Sequence, residues 1–278
     1  MSKIHHKIQS AILYLIEIIL TIVIIFPIYW MTVTSFKQYS EIFITPPTLW
    51  PVNFTLEGYR KVWNSLNFDR LFYNTFIASS GTTFLSMPIA ILAGYSLARL
   101  RFKGKEILGM LILATYMFPG VLLIIPLFVF MSNLGLINTL TSLIIACTTF
   151  TLPFCIWMLR AYFSSIPPDL EDAARIDGCS RIRAILQIVL PLSLPGIVAT
   201  SVFAFMNAWG NYMFALLFLT SKDKMTLPPA LSTFITREAI YWNEITVGGV
   251  IATLPVVIFF LIVQKYIVYG LTAGGVKG

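Results

Sequence analysis

The sequence predicts an all-α integral membrane protein of six transmembrane helices, with a short charged helix in the loop between spans 4 and 5. Three observations predict it. First, of 278 residues 58% are hydrophobic and only 11% charged, where a soluble domain carries about 25% charge. The same figures exclude disorder, which needs low hydrophobicity and dense charge. Second, the charges leave uncharged runs of 19, 28, 53, 38 and 20 residues, after Glu17, Arg70, Glu106, Arg183 and Glu244 respectively. Third, Lys and Arg concentrate on alternate loops.

A helix crossing the hydrocarbon needs roughly 20 apolar residues, and a charge at its centre costs about 2.5–3.5 kcal/mol on insertion scales. Each uncharged run therefore reads as a span. The 53-residue run holds two spans, divided by Ser132-Asn133-Leu134-Gly135 and Asn138-Thr139. The expected spans are 12–34, 71–97, 107–131, 140–159, 192–219 and 246–268. The first follows Lys3 and Lys7 as a signal peptide would. It is too long for one and lacks a small-x-small cleavage site, so it is read as retained. Five spans carry an internal proline: Pro27, Pro88, Pro119 with Pro126, Pro153, and Pro255. Proline is tolerated in membrane helices when neighbours satisfy the freed carbonyl.

With six spans both termini lie on one side. Twelve basic residues share that side (Lys3, Lys7, Arg99, Arg101, Lys103, Lys105, Arg160, Arg175, Arg181, Arg183, Lys265 and Lys277). Seven lie opposite (Lys37, Arg60, Lys61, Arg70, Lys222, Lys224 and Arg237). The acids barely differ, so both termini are expected in the cytoplasm. Residues 37–70 and 221–245 then form the extracytoplasmic loops, with Trp50 and Trp63 suited to an interfacial aromatic belt. The net charge of +7 is mostly this topology signal and calls for no nucleic acid. The three cysteines, Cys147, Cys155 and Cys179, fall in a span or a cytoplasmic loop, so disulfides are not expected. No metal-spaced cluster, phosphate-cradling glycine loop or nucleophile–base set is present: no catalytic residue and no metal site are expected.

The loop 160–190 is the most informative stretch, and 160–183 holds eight of the chain's charges. It reads as two short helices joined by a sharp turn. Ser165 is expected to cap the first, with Pro167 and Pro168 at its opening and Asp169, Glu171 and Asp172 in its first turns. Gly178 is expected to stop it, and Ser180 to cap the second, which Pro191 and Pro195 end. On the first helix, Ala173 and Ala174 allow another protein close approach, while Glu171, Asp172, Arg175 and Asp177 can set register with it.

These residues resemble the cytoplasmic loop of bacterial ABC importer permeases, whose pattern is E-A-A-x-x-D-G, nine residues, then I-x-L-P. Here it reads Asp172-Ala173-Ala174-Arg175-Ile176-Asp177-Gly178, nine residues, then Ile188-Val189-Leu190-Pro191. Asp172 stands for the first glutamate, with Glu171 beside it. Supporting stretches are Phe26-Pro27, Thr34-Ser35-Phe36-Lys37, Trp209-Gly210-Asn211, Phe214-Ala215-Leu216 and the tail from Gly270 to Gly278. They resemble the carbohydrate-uptake branch and its smaller, maltose-transporter-like membrane subunit.

The resemblance implies one ABC-importer transmembrane domain over 1–278, in the bacterial inner (plasma) membrane. It implies a homologous second permease, two copies of a cytoplasmic ATPase that bind ATP and Mg, an extracytoplasmic solute-binding protein, and a carbohydrate substrate, an oligosaccharide. The chain itself is then no enzyme and holds no cofactor. Glu171, Asp172, Ala173, Ala174, Arg175, Asp177 and Gly178 would carry ATPase coupling. Gly274, Gly275, Val276, Lys277 and Gly278 would reach the ATPase.

Asn207, Trp209, Asn211 and Tyr212 are candidate path-lining residues. Asn207 and Asn211, four apart, would share a helix face, either lining the path or making interhelical hydrogen bonds. Glu17 is the lone acid within a span: a functional candidate, or a side chain that snorkels to the interface or faces the partner. The alternative function is an ion-coupled secondary transporter, a class that usually shows internal repeats and paired intramembrane charges.

Overall fold

Apolar side chains exposed along about five turns of one helix set the character of the first element. The computed structural model describes residues 2–237 and 239–275, with side chains for 10–237 and 239–264. The chain divides into two compact units: Met1–Phe68 with Leu231–Leu254, and Asp69–Ala230 with Pro255–Gly278.

In the first unit, α1 (Ser2–Ser35) has every side chain from Ala11 to Tyr29 exposed. Such a surface needs lipid or another protein to cover it, and Glu17 lies within it. Two hydroxyls here bond to their own helix: those of Thr21 and Thr32 donate to the carbonyls of Glu17 and Ile28, each at 2.8 Å. After α1 come α2 (Tyr39–Ile42) and α3 (Glu57–Leu66).

A buried ionic knot organises the loop from 37 to 56. Lys37 is 2% exposed; its ammonium donates to the Thr48 carbonyl and lies 4.6 Å from the centre of the Trp30 ring. Glu41, also buried, accepts from the Thr48 hydroxyl and the Val52 amide at 2.8 Å and from the Asn53 amide at 3.4 Å. Burial pushes the Glu41 carboxyl up, but these hydrogen bonds and Lys37 outweigh it and hold the group below its ordinary value. Phe36 stacks on Phe54 and Tyr59 at 4.9 and 5.2 Å, closing the loop over the end of α1.

The second unit contains most of the remaining helices. These are α4 (Phe68–Arg99), α5 (Lys105–Met117), α6 (Ile124–Asn133) and α7 (Leu140–Ser165). There follow α8 (Asp169–Ile176), α9 (Arg181–Ala184), α10 (Leu190–Leu192), α11 (Leu194–Trp209), α12 (Met213–Phe218) and α13 (Leu227–Ser232). Last comes α14 (Trp242–Gly275). α4 carries many hydroxyls for a span, and it hides them. Thr75, Ser79, Thr82 and Thr83 each donate to the carbonyl one turn back, at 2.7–2.9 Å. One buried cluster joins Met87, Tyr95, Leu159, Phe163, Ile166 and Val189. A second joins Ala78, Met131, Leu143, Phe214 and Phe218.

α1, α4, α7 and α14 are each long and apolar enough to span a membrane. Two bent pairs raise the number to six when each counts as one span. This is the all-α membrane architecture expected, with three corrections. The third span is not one helix over 107–131: it breaks after Met117, passes through a 3-10 turn at Gly120–Leu123, and bends by 86°. Pro119 has no amide hydrogen to continue α5, and it holds Phe118 extended (φ −71°, ψ 128°). The fifth span is not one helix over 192–219: it stops at Trp209 and resumes at Met213. The fourth runs past residue 159 to Ser165, because Ile166, ahead of Pro167, is the first residue forced out of the helical region (φ −79°, ψ 130°). The expected break near 132–139 is present, with positive φ at Gly135 and Asn138.

Glu41→Ala leaves the Thr48 hydroxyl and the Val52 and Asn53 amides without their acceptor. The loop 37–56 is expected to open at a cost of about 1–3 kcal/mol, read as faster limited proteolysis between Phe43 and Leu56. Because the folded carboxyl titrates below its unfolded value, the native pin is complete above the ordinary carboxylate range. It loosens as pH falls through the lower folded value. Proteolysis across the acid range checks the sign.

Candidate functional site

α8 has eight residues, too few to persist alone in water. Local devices at both ends hold it. At its start Pro168, with φ preset at −63°, is the N-cap residue, and the Glu171 and Asp172 amides donate to the Pro168 carbonyl at 2.9 and 3.1 Å. The three acids of the first turn lie against the positive end of the helix. At its finish the Gly178 amide donates to the Arg175 carbonyl (3.2 Å), and the Cys179 amide to the Ala174 carbonyl (3.0 Å). That pair of bonds is a Schellman stop, and it requires φ near +88° at Gly178. The Ser180 hydroxyl then accepts from the Arg183 amide at 3.3 Å and caps α9, as expected.

Ser165 does not cap α8. It is the last residue of α7, and its hydroxyl donates to the Tyr162 carbonyl at 2.7 Å. Pro167 and Pro168 separate the two helices, so the capping role passes to a proline that has no side-chain acceptor.

The faces of α8 differ. Glu171 and Ala174 are buried, while Leu170, Asp172, Ala173, Arg175, Ile176 and Asp177 are exposed, Ile176 by 86%. Of the two neighbouring acids, Asp172 therefore points outward and Glu171 inward. The Tyr95 hydroxyl donates to the Glu171 carboxylate, and Arg99 Nε stands 3.7 Å from it. Asp172 makes only a loose ion pair with Arg175, at 3.8 Å. Beside α8 a cleft of about 530 Å³ is lined by Arg99, Arg101, Glu171, Asp172, Arg175 and Arg181. Beyond α8 the chain winds through a π-helical turn, Ile185–Val189. There the wider ring accommodates Pro191, which has no amide hydrogen to give.

The candidate path-lining residues are only partly brought together. Asn207 and Asn211 do not share one helix face. α11 ends at Trp209, and the Asn211 carbonyl oxygen accepts from the Phe214 amide (3.1 Å) to start α12. The Asn207 carbonyl oxygen accepts from the Thr151 hydroxyl of α7 at 3.1 Å, the interhelical alternative. Trp209 is buried, stacked on Phe205 and edge-on to Phe72. Tyr212 is exposed at the break. Of the tail, Val276, Lys277 and Gly278 lie outside the described residues, and Gly274 and Gly275 are described as helix backbone alone.

Tyr95 and Arg99 were not legible as site residues. Arg99 carried the signal of a basic residue ending a span; Tyr95 carried none. Among the described residues, no group of three or more His, Cys, Asp or Glu is placed to hold a metal ion.

A family model described as "Binding-protein-dependent transport system inner membrane component" matches residues 86–272. The chain is 38% identical over 259 residues to the inner membrane ABC transporter permease protein YcjP of Escherichia coli K12, covering 92% of each. It is 38% identical over 273 residues to the trehalose/maltose transport system permease protein MalG of Thermococcus litoralis, covering 97% of this chain and 98% of that one. Among solved structures, it is similar to a chain of a bacterial ABC transporter involved in import of the acidic polysaccharide alginate. The TM-score is 0.75 at 24% identity, over 94% of this chain and 96% of that chain.

Gly178→Ala forces an L side chain into the left-handed region, at a cost of about 1–2 kcal/mol. Nothing lies within 4 Å of the added carbon, so the loss is backbone strain alone. Hydrogen exchange over residues 169–180 is expected to speed up. Gly178→Asn, which tolerates that conformation, is expected to recover most of the protection.

Proposed function

The chain belongs to the binding-protein-dependent transport system inner membrane component family, the membrane permeases of ABC importers, and from that premise we propose that it is one permease of a sugar importer. In this reading it forms half of the translocation path and pairs with a homologous second permease. An oligosaccharide arrives from an extracytoplasmic solute-binding protein. Two copies of a cytoplasmic ATPase bind below, and ATP and Mg bind in them, not in this chain.

The observation that carries the reading is the outward face of α8. Leu170, Ala173 and Ile176 recur every three residues and form an exposed apolar stripe. Asp172, Arg175 and Asp177 rim it with charge. A small alanine at the centre lets a partner's surface reach the helix backbone. An isoleucine 86% exposed at the end of an eight-residue helix is costly in water and useful in a cleft. Closure of an ATPase dimer around ATP would move such a helix and, with it, the spans it is fastened to. The permease then switches between inward- and outward-facing states.

Sugar as substrate is supported by relatives that serve trehalose/maltose and sulfoquinovosyl glycerol transport systems. Tyr212, exposed at the break of the fifth span, is the candidate lining residue best placed to stack on a sugar ring. Both termini and α8 are assigned to the cytoplasm by the distribution of Lys and Arg. The bilayer covers α1, whose exposed apolar surface supports that assignment.

Affinity purification is expected to recover a second permease and a soluble ATPase with this chain. Recovery as a lone homo-oligomer that transports sugar would favour the ion-coupled transporter instead. Ile176→Asp is expected to weaken ATPase retention at least about tenfold, as truncating an interface anchor does. Titrating ATPase onto the permease pair in lipid nanodiscs measures this. A membrane-impermeant maleimide applied to intact cells is expected to label Lys222→Cys and spare Lys103→Cys.

A further inference from the structure

The inward face of α8 has its own chemistry, separate from the docking face. Glu171 lies where α8, the last turn of α4 and the end of α7 converge. Its side chain is 11% exposed and that of Arg99 is 12% exposed. A carboxylate and a guanidinium so far from water are stable only if paired and hydrogen-bonded. The Tyr95 hydroxyl donates to one carboxylate oxygen of Glu171. Arg99 Nε lies 3.7 Å from the other, an ion pair without a hydrogen bond, and the second arm of Arg99 donates to the Ile166 carbonyl at 2.6 Å. The Tyr95 ring packs edge-on to Phe163 of α7, with centroids 6.0 Å apart. Behind this, a side chain at Gly94 would meet Leu159 Cβ at 3.0 Å: α4 and α7 touch backbone to backbone at this level, which brings Tyr95 and Arg99 within reach of α8.

We propose that Glu171, Tyr95 and Arg99 form a clamp that fastens α8 rigidly to α4 and α7, so that Glu171 is a positioning residue that transmits ATPase motion into the spans rather than a residue that binds the ATPase. This rests on the reading of α8 as the ATPase-docking helix and divides its labour. Asp172, Ala173 and Ile176 take hold of the partner; Glu171 passes the displacement on. A helix attached to its neighbours only through chain turns at Ile166 and Gly178 would pivot. One anchored by a buried charge-assisted bond moves as a body with α4.

The test uses the assembled importer, with spin labels at Phe84→Cys, exposed on α4, and Asp169→Cys, at the start of α8, and with Cys179→Ser to remove background labelling. Distances are read with and without ATP and vanadate, and also in the permease pair before ATPase is added. The parent protein is expected to give one narrow distribution whose mean ATP does not move. Glu171→Gln is expected to keep the ATPase bound while the distribution roughly doubles in width, because the charge that strengthens the Tyr95 bond and pairs with Arg99 is lost. Tyr95→Phe, which removes the one hydrogen bond to the carboxylate and leaves the charge pair, is expected to broaden it as well. Swapping the charges, Glu171→Arg with Arg99→Glu, is expected to narrow it again. Asp172→Asn is expected to do the reverse of Glu171→Gln, releasing ATPase at unchanged width. A narrow distribution in both Glu171→Gln and Tyr95→Phe overturns the clamp, as does ATPase loss in Glu171→Gln equal to that in Asp172→Asn. Failure of the parent complex to bind ATPase counts against the docking reading, while the widths in the permease pair still report on the clamp.

Discussion

Hydrocarbon gives a polar group no partner, and this constraint shapes where the charges and the broken helices of the described residues lie. An unsatisfied backbone group there costs several kcal/mol. Thr75, Ser79 and Thr82 of α4 therefore turn their hydroxyls back onto their own helix, and the interruption at Gly210 is closed by the Asn211 side chain on the Phe214 amide. The turn between α6 and α7 is handled the same way. The Asn138 amide donates to the Phe218 carbonyl at 2.7 Å, and its side-chain oxygen accepts from the Ser221 amide and hydroxyl. Irregular backbone persists where a neighbouring segment satisfies it.

Pushed out of the spans, the charges gather in two knots with different consequences. In the first unit, Lys37 and Glu41 tie a loop across itself, and Asn243 reaches the Lys37 carbonyl at 2.8 Å. Lys61 adds an ion pair with the buried Glu244. This knot closes on itself and fixes shape. In the second unit, Arg160 pairs with Glu106 across α7 and α5, and Arg99 and Tyr95 hold Glu171. That knot has an open side, because α8 continues past it into exposed Asp172, Ala173 and Ile176. A closed knot stabilises; an open one can also carry force.

What the sequence made legible follows the same division. The uncharged runs placed the spans because the penalty on charge is large and local in sequence. The Asp172–Gly178 motif and the Ser180 cap were legible because turn chemistry is set by neighbouring residues. The breaks were harder. A proline within a span, such as Pro88 or Pro153, leaves its helix continuous, whereas Pro119 ends one. The difference lies in the residue ahead of the proline: Phe118 is extended before Pro119 and ends the helix, whereas the residues ahead of Pro88 and Pro153 stay helical. Ser165 looked like a cap because Ser before Pro-Pro is a good helix start. α7, packed through Phe163, kept it instead. The Asn207–Asn211 face assumed an unbroken helix and failed with it.

The choice between Glu171 and Asp172 was beyond sequence for a simpler reason. Adjacent residues on a helix differ by about 100° in direction, so composition cannot say which of two neighbouring acids faces the body of the protein. The answer depends on Tyr95 and Arg99, more than 70 positions earlier, arriving at the same point. Once they do, burial gives the inner acid a task the outer one cannot share. A desolvated carboxylate held by the Tyr95 hydroxyl beside the Arg99 charge has few alternatives, whereas an aspartate whose pair with Arg175 stands in water can exchange partners. In the proposed coupling role, a helix that grips a moving subunit on one side and stays fixed to its own spans on the other would use both kinds of acid, and the eight residues of α8 carry them side by side.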